Sequence, residues 1–404
     1  MRINVIGQGY IGLPTSLALA IGNHTVLGVD INQKLIQKLT HNEVSFPEPG
    51  LNDLFQKALN YDLSFSLEPT EADAYILTVP TPHFIDSKKI DLSYLKLALD
   101  SIAQFLSNQS IVIVESTISP GTIDNHLIPY LESKGYKNNT DYVFAHAPER
   151  ILPGNLIYEL FNNSRTIGLD NNEIVKKIKS IYSSFSKGKL LFTSIKVAEL
   201  SKIIENTYRD INIAYANELL LIGNELNVNI YEAIKIANEH PRVNILNPGP
   251  GVGGHCISVD PWFLVGEFPR LTRLIRSARE VNDYMPKYVL KKINTIKKEN
   301  PKIKKIGVYG LTYKEDVDDI RESPTLQMIN RLTKDELKDF SFFDPYIKYE
   351  LIENMMFDIK SFIEKNDLIV IMVSHKEIEF YQEELREKTV LDTKFKFKEA
   401  DYFL

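Results

Sequence analysis

Residues 2–12 read Arg2-Ile3-Asn4-Val5-Ile6-Gly7-Gln8-Gly9-Tyr10-Ile11-Gly12. An apolar run that leads directly into a Gly-x-Gly-x-x-Gly turn and then into a helical pattern is typical of a dinucleotide-binding domain. Gly7 permits the tight turn, Gly9 lets a pyrophosphate approach the backbone, and Gly12 allows the helix to pack on the strand. The N-terminus of that helix then faces the phosphates. The alternative is a glycine-rich turn that binds no nucleotide.

Asp30 follows the second apolar run, Thr25–Val29, at about the distance from the glycines where such domains carry an acidic residue. Its carboxylate would accept hydrogen bonds from the adenosine ribose hydroxyls. The same charge would repel a 2′-phosphate, which favours NAD over NADP.

Short apolar runs alternate with helical patterns over residues 1–193. Because these runs are continuously apolar, they are typical of strands covered on both faces, as in a parallel sheet. The pattern predicts an N-terminal Rossmann-like α/β domain. Its predicted strands are Ile3–Ile6, Thr25–Val29, Ala74–Val79, Ile111–Val114 and Tyr142–Ala145.

Residues 194–298 form a different pattern. Val197–Leu226 has apolar residues at helical spacing and contains no Gly or Pro before Gly223, which predicts one long helix. Two further helices are predicted, Ile230–Asn238 and Leu271–Lys298. We expect this all-helical central region to form a dimer interface and to carry catalytic residues.

The α/β alternation returns in residues 299–404 and predicts a second, smaller Rossmann-like domain. Its predicted strands are Ile306–Tyr309, Phe340–Phe343 and Leu368–Val373.

The composition narrows the class of protein. A chain of 404 residues suggests two or three domains. Its one cysteine excludes an internal disulfide and fits a reducing compartment, and its net charge of −6 argues against general nucleic-acid binding. The N-terminal strand leaves no room for a signal peptide, and no apolar run approaches the roughly 18 residues of a membrane helix. We therefore expect a cytoplasmic protein without membrane contact.

The single cysteine lies in a glycine-rich segment, Gly249–Pro261. Cys256 follows Gly253, Gly254 and His255, and Asp260 follows four residues later. A thiol beside a flexible backbone nest and a carboxylate indicates a nucleophile, and the alternative is an inert buried cysteine. Backbone amides of the nest, or an ammonium such as Lys202, would increase the thiolate fraction. His255 is expected to have a structural role, because adjacent side chains usually point apart.

Two further pairs could carry chemistry. Lys202 and Asn206 lie four residues apart on the long predicted helix and therefore share a face, although a solvated pair would look the same. Glu149 and Arg150 follow the strand that ends at Ala145, and the carboxyl ends of such strands face the ligand crevice. The alternative for that pair is a salt-bridged loop.

Taken together, these motifs resemble the UDP-glucose/GDP-mannose dehydrogenase family over nearly the whole chain. The resemblance also includes the segments Val79–Pro82, Glu115–Thr122, Gly310–Lys314 and Arg321–Pro324. It implies an NAD-dependent enzyme that needs no metal.

Within the family, the chain is most similar to the members that oxidise UDP-N-acetylmannosamine. The matching segments are 147–154, 205–210, 240–244 and 255–262. Members that act on UDP-glucose tend to carry a second acid at the position of Pro153. Arg150, which has only donors to offer, could donate to an acetamido carbonyl or to a phosphate.

The resemblance implies roles for individual residues. Cys256 would be the nucleophile and Lys202 a proton donor and acceptor. The side chains implied to order the sugar and the water are Asp260, Asn206, Glu149 and Thr117. The residues implied to contact the nucleotide sugar are Arg150, Ile151, Lys202, Asn206, Arg209, His240, Arg242, Gly253, Tyr313 and Lys314. The residues implied to contact NAD are Gly7, Gly9, Tyr10, Ile11, Gly12, Asp30, Thr81, Thr117 and Arg321. Many relatives have Arg at the position of Lys394, so a substrate contact there stays open.

The implied reaction is a four-electron, NAD-dependent oxidation of the 6-hydroxyl of a UDP-N-acetylhexosamine to the uronic acid, through a thiohemiacetal and a thioester of Cys256. UDP-N-acetylmannosamine is the leading substrate, with UDP-N-acetylglucosamine and UDP-glucose as alternatives. The length of the central helix favours a homodimer formed through the central helices, and the resemblance implies a product used in a cell-surface polysaccharide. More distant alternatives are a two-electron hydroxyacid dehydrogenase and a non-catalytic NAD-binding regulator.

Overall fold

The structure, a computed structural model, describes residues 1–151, 154–254 and 256–404. Within these residues the chain forms two compact units. The first comprises Met1–Glu205 and Gly266–Phe268, and the second comprises Asn206–Val265 and Pro269–Leu404.

The first unit is built on a single sheet. Its strands are β1 (Arg2–Ile6), β2 (Thr25–Val29), β3 (Leu63–Ser66), β4 (Ala74–Leu77), β5 (Ser110–Val114), β6 (Tyr142–His146), β7 (Arg165–Leu169) and β8 (Leu190–Thr193). The strand order is β3-β2-β1-β4-β5-β6-β7-β8, and every neighbouring pair is parallel except β6 and β7. The first six strands have the order typical of dinucleotide-binding domains, which places a ligand crevice where the order reverses between β1 and β4.

Helices and short turns connect these strands. They are α1 (Gly12–Ile21), α2 (Gln33–Thr40), α3 (Leu51–Ala58), α4 (Ser93–Ala103), α5 (Ile128–Glu132), α6 (Leu156–Asn162) and α7 (Val175–Ser183). A π-helical turn, Ile123–Leu127, precedes α5, and a 3-10 turn, Asn172–Ile174, precedes α7.

Helix α1 is apolar on nearly every side because it packs in two directions. Leu13 and Leu17 are fully buried in a cluster with residues of α2 and α3. Ala18 and Leu19 belong instead to the cluster formed by the strands. A helix that is hydrophobic all round is a buried helix. Each large side chain buried in this way stabilises the fold by about 1.5–3 kcal/mol.

The second unit contains the smaller sheet. Its strands are β9 (Ile306–Tyr309), β10 (Phe340–Phe343), β11 (Leu368–Ile371), β12 (Thr389–Asp392) and β13 (Tyr402–Phe403). They follow the order β10-β9-β11-β12-β13, and all neighbours are parallel. Neighbouring residues of a strand enter different cores: Val308 packs in one cluster and Tyr309 in another. The sheet is therefore covered on both faces, as parallel sheets are.

The second unit also contains helices. Helix α8 (Ile195–Leu226), which also supplies residues to the first unit, is 32 residues long. The others are α9 (Ile230–Asn238), α10 (Asp260–Glu267), α11 (Arg273–Glu299), α12 (Pro324–Ile329), α13 (Lys334–Leu337), α14 (Ile359–Lys365) and α15 (Gln382–Arg386), and a 3-10 turn spans Lys376–Tyr381. Met285, Val289 and Ile293 of α11 are fully buried against the sheet.

A buried polar network joins α8, α11 and the glycine-rich segment. Asp210 accepts hydrogen bonds from Arg279 at 2.6 Å and from Asn282 at 2.8 Å. Asn217 donates to Asn282 at 2.8 Å, and its own oxygen accepts the N–H of Gly249 at 2.8 Å. The start of the glycine-rich segment is thus anchored to both long helices.

The predicted fold class is confirmed: an N-terminal Rossmann-like sheet, a helical middle and a smaller C-terminal parallel sheet. The sequence prediction omitted five strands, β3, β7, β8, β12 and β13. Strand β3 reads Leu-Ser-Phe-Ser and is only partly buried, and the buried strand β7 begins with Arg165. Such strands lack the continuous apolar run that identified the others. In the part of the chain that the structure describes, no helix is long and apolar enough to cross a membrane.

Candidate active site

The glycine turn after β1 has the geometry that a dinucleotide needs. Gly7 has a φ of 95°, and a Cβ at Gly12 would lie 1.8 Å from the carbonyl oxygen of Gly7. Both positions therefore require glycine on steric grounds. A Cβ at Gly9, by contrast, would have nothing within 4 Å. Since the fold itself leaves Gly9 open, its lack of a side chain fits a ligand that approaches the backbone there.

Asp30 is held at the end of β2 by backbone donors. One carboxylate oxygen accepts the N–H of Gln8 at 2.8 Å, and the other accepts the N–H of Asn32 at 2.8 Å. The carboxylate is therefore fixed beside the glycine turn and retains lone pairs for ribose hydroxyls. These residues fit NAD.

The other residues predicted to contact NAD in the first unit lie in the glycine turn itself, as Tyr10 and Ile11 do, or on later loops, as Thr81 and Thr117 do. Tyr10 donates to Glu48 at 3.0 Å and stacks on Phe46. Ile11 precedes α1 and is half-buried. The hydroxyl of Thr81 donates to the carbonyl of Thr117 at 2.7 Å, so these two predicted residues are in direct contact.

The loop after β6 is fastened by its neighbours. Glu149 forms an ion pair with Arg165 and accepts the N–H of Arg150 at 2.7 Å. The Arg150 guanidinium donates to Thr166 at 2.7 Å and pairs with Glu205 at 2.9 Å. Ile151 packs against the strand core of the first unit. The structure therefore brings Glu149 and Arg150 into one network, and the salt-bridged loop considered from the sequence is present.

Sequence reasoning assigned no individual role to Arg165, the ion-pair partner of Glu149, or to Tyr182. Arg165 also faces Glu115 at 3.4 Å, and Tyr182 donates to Glu115 at 2.7 Å. Burial raises the pKa of Glu115 to about 7, while the charge of Arg165 opposes that rise. The only sequence signal was the unusual charge at the head of an otherwise apolar strand, Arg165–Leu169.

Lys202 is buried on α8, with 6% of its surface exposed. One turn earlier, Glu199 accepts the N–H of Gly121 at 2.5 Å and that of Ile123 at 3.0 Å. Burial raises the pKa of Glu199 to about 7. Lys202 is therefore not the solvent-exposed lysine that the sequence left as an alternative.

The cysteine segment lies in the second unit, and Cys256 is exposed. The alternative of a buried cysteine, which the sequence left open, is therefore wrong. The carbonyl of Cys256 accepts the N–H of Asp260 at 2.8 Å, which closes a turn over residues 256–260 that leads into helix α10. Asp260 is buried and accepts a short hydrogen bond from Asn206, whose own oxygen accepts one from Arg209. The predicted Asn206, Arg209 and Asp260 therefore form one chain of hydrogen bonds.

Glycines 253 and 254 let the segment pack against the loop after β9. A Cβ at Gly253 would lie 2.5 Å from the carbonyl oxygen of Glu322, and one at Gly254 would lie 2.7 Å from the ring of Tyr313. The N–H of Gly254 donates to the carbonyl of Arg321 at 3.0 Å. Burial raises the pKa of Tyr313 to about 12, and the charges of Asp319 and Cys256 act in the same direction. The predicted Gly253, Tyr313 and Arg321 are thus assembled around the cysteine segment.

The remaining residues considered in the second unit differ in their burial. His240 and Arg242 are exposed, and the His240 ring accepts the backbone N–H of Arg242 at 3.3 Å. Lys314 is exposed, while its carbonyl accepts the hydroxyl of Thr312 at 2.9 Å. The ammonium of Lys394 lies 3.8 Å from the position that a Cβ at Gly249 would take, and burial lowers its pKa.

The interpretations placed on His255, Leu152 and Pro153 lie outside the described residues. Across residues 1–151, 154–254 and 256–404, no group of three or more His, Cys, Asp or Glu side chains is arranged to hold a metal ion.

Family models match three successive parts of the chain. All three describe the UDP-glucose/GDP-mannose dehydrogenase family: its NAD binding domain over residues 1–186, its central domain over 196–284 and its UDP binding domain over 307–399. The chain belongs to this family. It is therefore an NAD-dependent nucleotide-sugar dehydrogenase, and both the predicted family and the predicted cofactor are confirmed.

Similar proteins from other organisms carry more specific names. The chain is 43% identical to a UDP-N-acetyl-D-mannosamine dehydrogenase of Methanocaldococcus jannaschii, over 97% of this chain and 92% of the relative. It is 39% identical to an NDP-N-acetyl-D-galactosaminuronic acid dehydrogenase of Ralstonia nicotianae, over 97% of this chain and 95% of the relative.

Solved structures of UDP-N-acetylmannosamine dehydrogenases also resemble this chain. The UDP-N-acetyl-mannosamine dehydrogenase of Staphylococcus aureus superposes with a TM-score of 0.90 at 40% identity and covers 100% of this chain and 98% of its own. A UDP-D-ManNAc dehydrogenase of Pyrococcus horikoshii superposes with a TM-score of 0.88 at 34% identity, covering 98% of this chain and 95% of its own.

The glycine turn makes a direct prediction about NAD binding. Gly9→Ala should leave the unfolding temperature nearly unchanged, because the added Cβ meets no atom of the protein, yet it should weaken NAD binding by about tenfold or more by blocking the approach of the pyrophosphate. Gly12→Ala is the steric counterpart and should lower the unfolding temperature, since its Cβ overlaps the Gly7 backbone. Thermal denaturation and NAD titration measure the two effects. Wild-type NAD affinity in Gly9→Ala would contradict the assignment.

Proposed function

We propose that this enzyme oxidises the 6-hydroxyl of a UDP-N-acetylhexosamine to the uronic acid and that UDP-N-acetylmannosamine is its substrate. The observation that carries the proposal is the exposed thiol of Cys256 in the turn that leads into α10, with Asp260 held in a hydrogen-bonded chain. The names of the relatives that align over nearly the full chain support the same substrate class.

The electron count explains why a thiol is needed. Conversion of a primary alcohol to a carboxylic acid removes four electrons, and NAD, when bound, accepts one hydride in each of two oxidations. The aldehyde has to become tetrahedral before it can lose the second hydride. The Cys256 sulfur adds to the aldehyde carbon and forms a thiohemiacetal, whose oxidation yields a thioester. Water then displaces the sulfur, which releases the uronic acid and restores the thiol.

Two features of the described residues favour the thiolate form of Cys256. The thiol precedes the N-terminus of α10, where the helix dipole favours negative charge. Arg321 provides a second positive charge: Asp319 contributes most to raising the Arg321 pKa, and the charge of Cys256 raises it further. Because the attraction is mutual, the guanidinium also favours the thiolate.

The remaining polar groups are assigned to orientation and proton transfer. Lys202 donates and accepts the proton of the sugar oxygen, a task suited to an ammonium held on a largely buried side chain. Asp260 and Asn206, which are buried and hydrogen-bonded to each other, order the sugar and the water. Glu149 and Thr117 order the sugar and the water.

The same proposal extends to the organisation of the chain. Residues 1–193 bind NAD, residues 194–298 supply the dimer interface and catalytic groups, and residues 299–404 bind the UDP moiety. The matches to the family's NAD binding, central and UDP binding domains support this division. We place the enzyme in the cytoplasm, where a single cysteine stays reduced.

A homodimer accounts for an exposed apolar stripe on α8. Tyr208, Tyr215, Ile222 and Leu226 are each at least 48% exposed and recur at intervals of seven, seven and four residues, so they share one helix face. A stripe of this kind on one long helix can pair with the same stripe of a second copy. Burial between two copies would remove its apolar surface from water.

Charged residues in the stripe should therefore separate the two subunits. The double variant Tyr215→Glu/Ile222→Glu should have half the wild-type mass in light scattering, because like charges would face each other across the helix pair. Phe380→Glu, which alters an 83% exposed side chain outside α8, is the matched control and should keep the wild-type mass. An unchanged mass for the double variant would contradict the proposed interface.

The covalent mechanism fixes the yield of NADH. Wild-type enzyme should form two NADH for each UDP-sugar consumed and release no free aldehyde. Cys256→Ala should abolish uronate formation, because no thiohemiacetal can form, while its NAD affinity stays at the wild-type level. Enzymatic NADH counting and mass spectrometry of the product measure both. One NADH per sugar would favour the two-electron dehydrogenase, and no turnover of any UDP-sugar would favour the regulator.

The substrate loop predicts a preference for an acetamido sugar. Since the Arg150 guanidinium has more N–H donors than its contacts with Thr166 and Glu205 use, UDP-N-acetylmannosamine should have at least tenfold higher kcat/KM than UDP-glucose. Arg150→Leu should lower kcat/KM for UDP-N-acetylmannosamine more than it lowers kcat/KM for UDP-glucose. A parallel assay with UDP-N-acetylglucosamine tests the sugar epimer. Equal or faster oxidation of UDP-glucose would show that the loop does not read the acetamido group.

A further inference from the structure

A buried charge cluster lies at the carboxyl ends of β5 and β6 in the first unit. Glu115 follows β5, Glu149 lies in the loop after β6, and Arg165 begins β7. The side chains of these three residues are 0%, 8% and 4% exposed, respectively. Charged side chains are rarely buried to this extent unless they are paired.

Arg165 is shared between the two carboxylates. One guanidinium nitrogen pairs with Glu149, and the other lies 3.4 Å from a carboxylate oxygen of Glu115. Tyr182 donates to that oxygen of Glu115 at 2.7 Å, and Thr15 donates to the other at 3.3 Å. The guanidinium also lies over the Tyr182 ring, 4.8 Å from its centroid. Glu115 and Tyr182 thus hold Arg165 from one side, and Glu149 occupies the other.

We propose that Arg165 is the positioning residue that orients the Glu149 carboxylate for the reaction, with Glu115 and Tyr182 as its support. The inference rests on the proposed function, in which Glu149 orders the sugar and the water. Arg165 itself is not assigned a contact with substrate or cofactor.

The backbone around Glu149 supports this assignment. Its second carboxylate oxygen accepts the N–H of Arg150, and the Arg150 side chain is fastened to Thr166. Consecutive residues of β7, Arg165 and Thr166, therefore hold consecutive residues of the loop. Rotation of the Glu149 side chain away from this position would leave a buried guanidinium facing only Glu115.

The charge balance of the cluster bears on the protonation of Glu115. With both carboxylates ionised, the buried cluster would carry a net negative charge. Burial raises the pKa of Glu115 to about 7, and the charge of Glu149 adds to that rise, whereas Arg165 and the hydrogen bonds from Tyr182 and Thr15 oppose it. A proton on Glu115 leaves Arg165 and Glu149 as a neutral ion pair.

The first test separates positioning from simple structural support. Arg165→Gln should lower kcat by about 10–100-fold, the range expected when a reacting group is misplaced by about 1 Å, and should change KM much less. The acidic limb of its kcat profile should move to higher pH, because two carboxylates without a cation retain a proton to higher pH. Arg165→Lys should restore part of kcat and part of the pH shift. An Arg165→Gln variant with a wild-type pH profile would overturn the proposal.

A milder pair of variants covers the case in which Arg165→Gln does not fold. Tyr182→Phe removes the hydroxyl that supports Glu115 and should lower kcat severalfold. Tyr75→Phe is the matched control in the same unit: Tyr75 is equally buried, and its hydroxyl accepts the N–H of Ala72 at 3.0 Å. It should lower the unfolding temperature by a similar amount without the loss of kcat. Equal kcat in the two variants would count against the support role.

A double-mutant cycle distinguishes failure of this inference from failure of the proposed function. If Arg165 acts through Glu149, then Arg165→Gln should lower kcat in the wild type but have little further effect in a Glu149→Gln background. Additive losses would overturn the positioning role while leaving Glu149 in the reaction. Glu149→Gln with wild-type kcat would instead contradict the proposed role of Glu149 itself, whatever Arg165 does.

Discussion

Parallel strand pairing places several of the predicted site residues of the first unit at one edge of its sheet. In the first unit β1, β2, β4, β5 and β6 are paired in parallel, so the loops that follow them emerge on the same side. Those loops carry the glycine turn, Asp30, Thr81, Thr117 and Glu149. The sheet of the second unit is also parallel, and the Tyr313 loop follows β9. Crossovers between parallel strands therefore explain where these loops emerge, whereas Asn206, Arg209 and Asp260 are held by helices.

In each unit, a buried arginine pairs with two carboxylates near predicted site residues. Arg165 is shared by Glu115 and Glu149, and Arg279 by Asp210 and Asp283. Burial of such pairs contributes little net stability, but removal of one partner leaves an uncompensated buried charge and costs about 3–5 kcal/mol. The energetic consequence is that the Glu149 loop and the start of the glycine-rich segment each have one strongly preferred arrangement.

The sequence predicted strands and helices correctly wherever the apolar pattern of the segment was uninterrupted. The strand Thr25–Val29 and the helix Ile230–Asn238 were predicted with the bounds that the structure has. Strands such as β3 and β7 were missed because a polar residue at an edge, or a charge at the head of a buried strand, breaks the apolar run. The division into three domains at residues 193 and 298 stays a prediction, since a contiguous pattern in sequence does not say which elements pack together.

For the site, the sequence alone determined the residue types and their spacing: the glycine turn with Asp30, the single Cys256 with Asp260, and through them the family and its NAD cofactor. These signals are local, because a tight turn or a nucleophile needs particular residues within a few positions of each other. Only the tertiary structure decided that Cys256 is exposed and that Arg165 pairs with Glu149. Burial and charge pairing depend on contacts between residues distant in the chain, which no local pattern records.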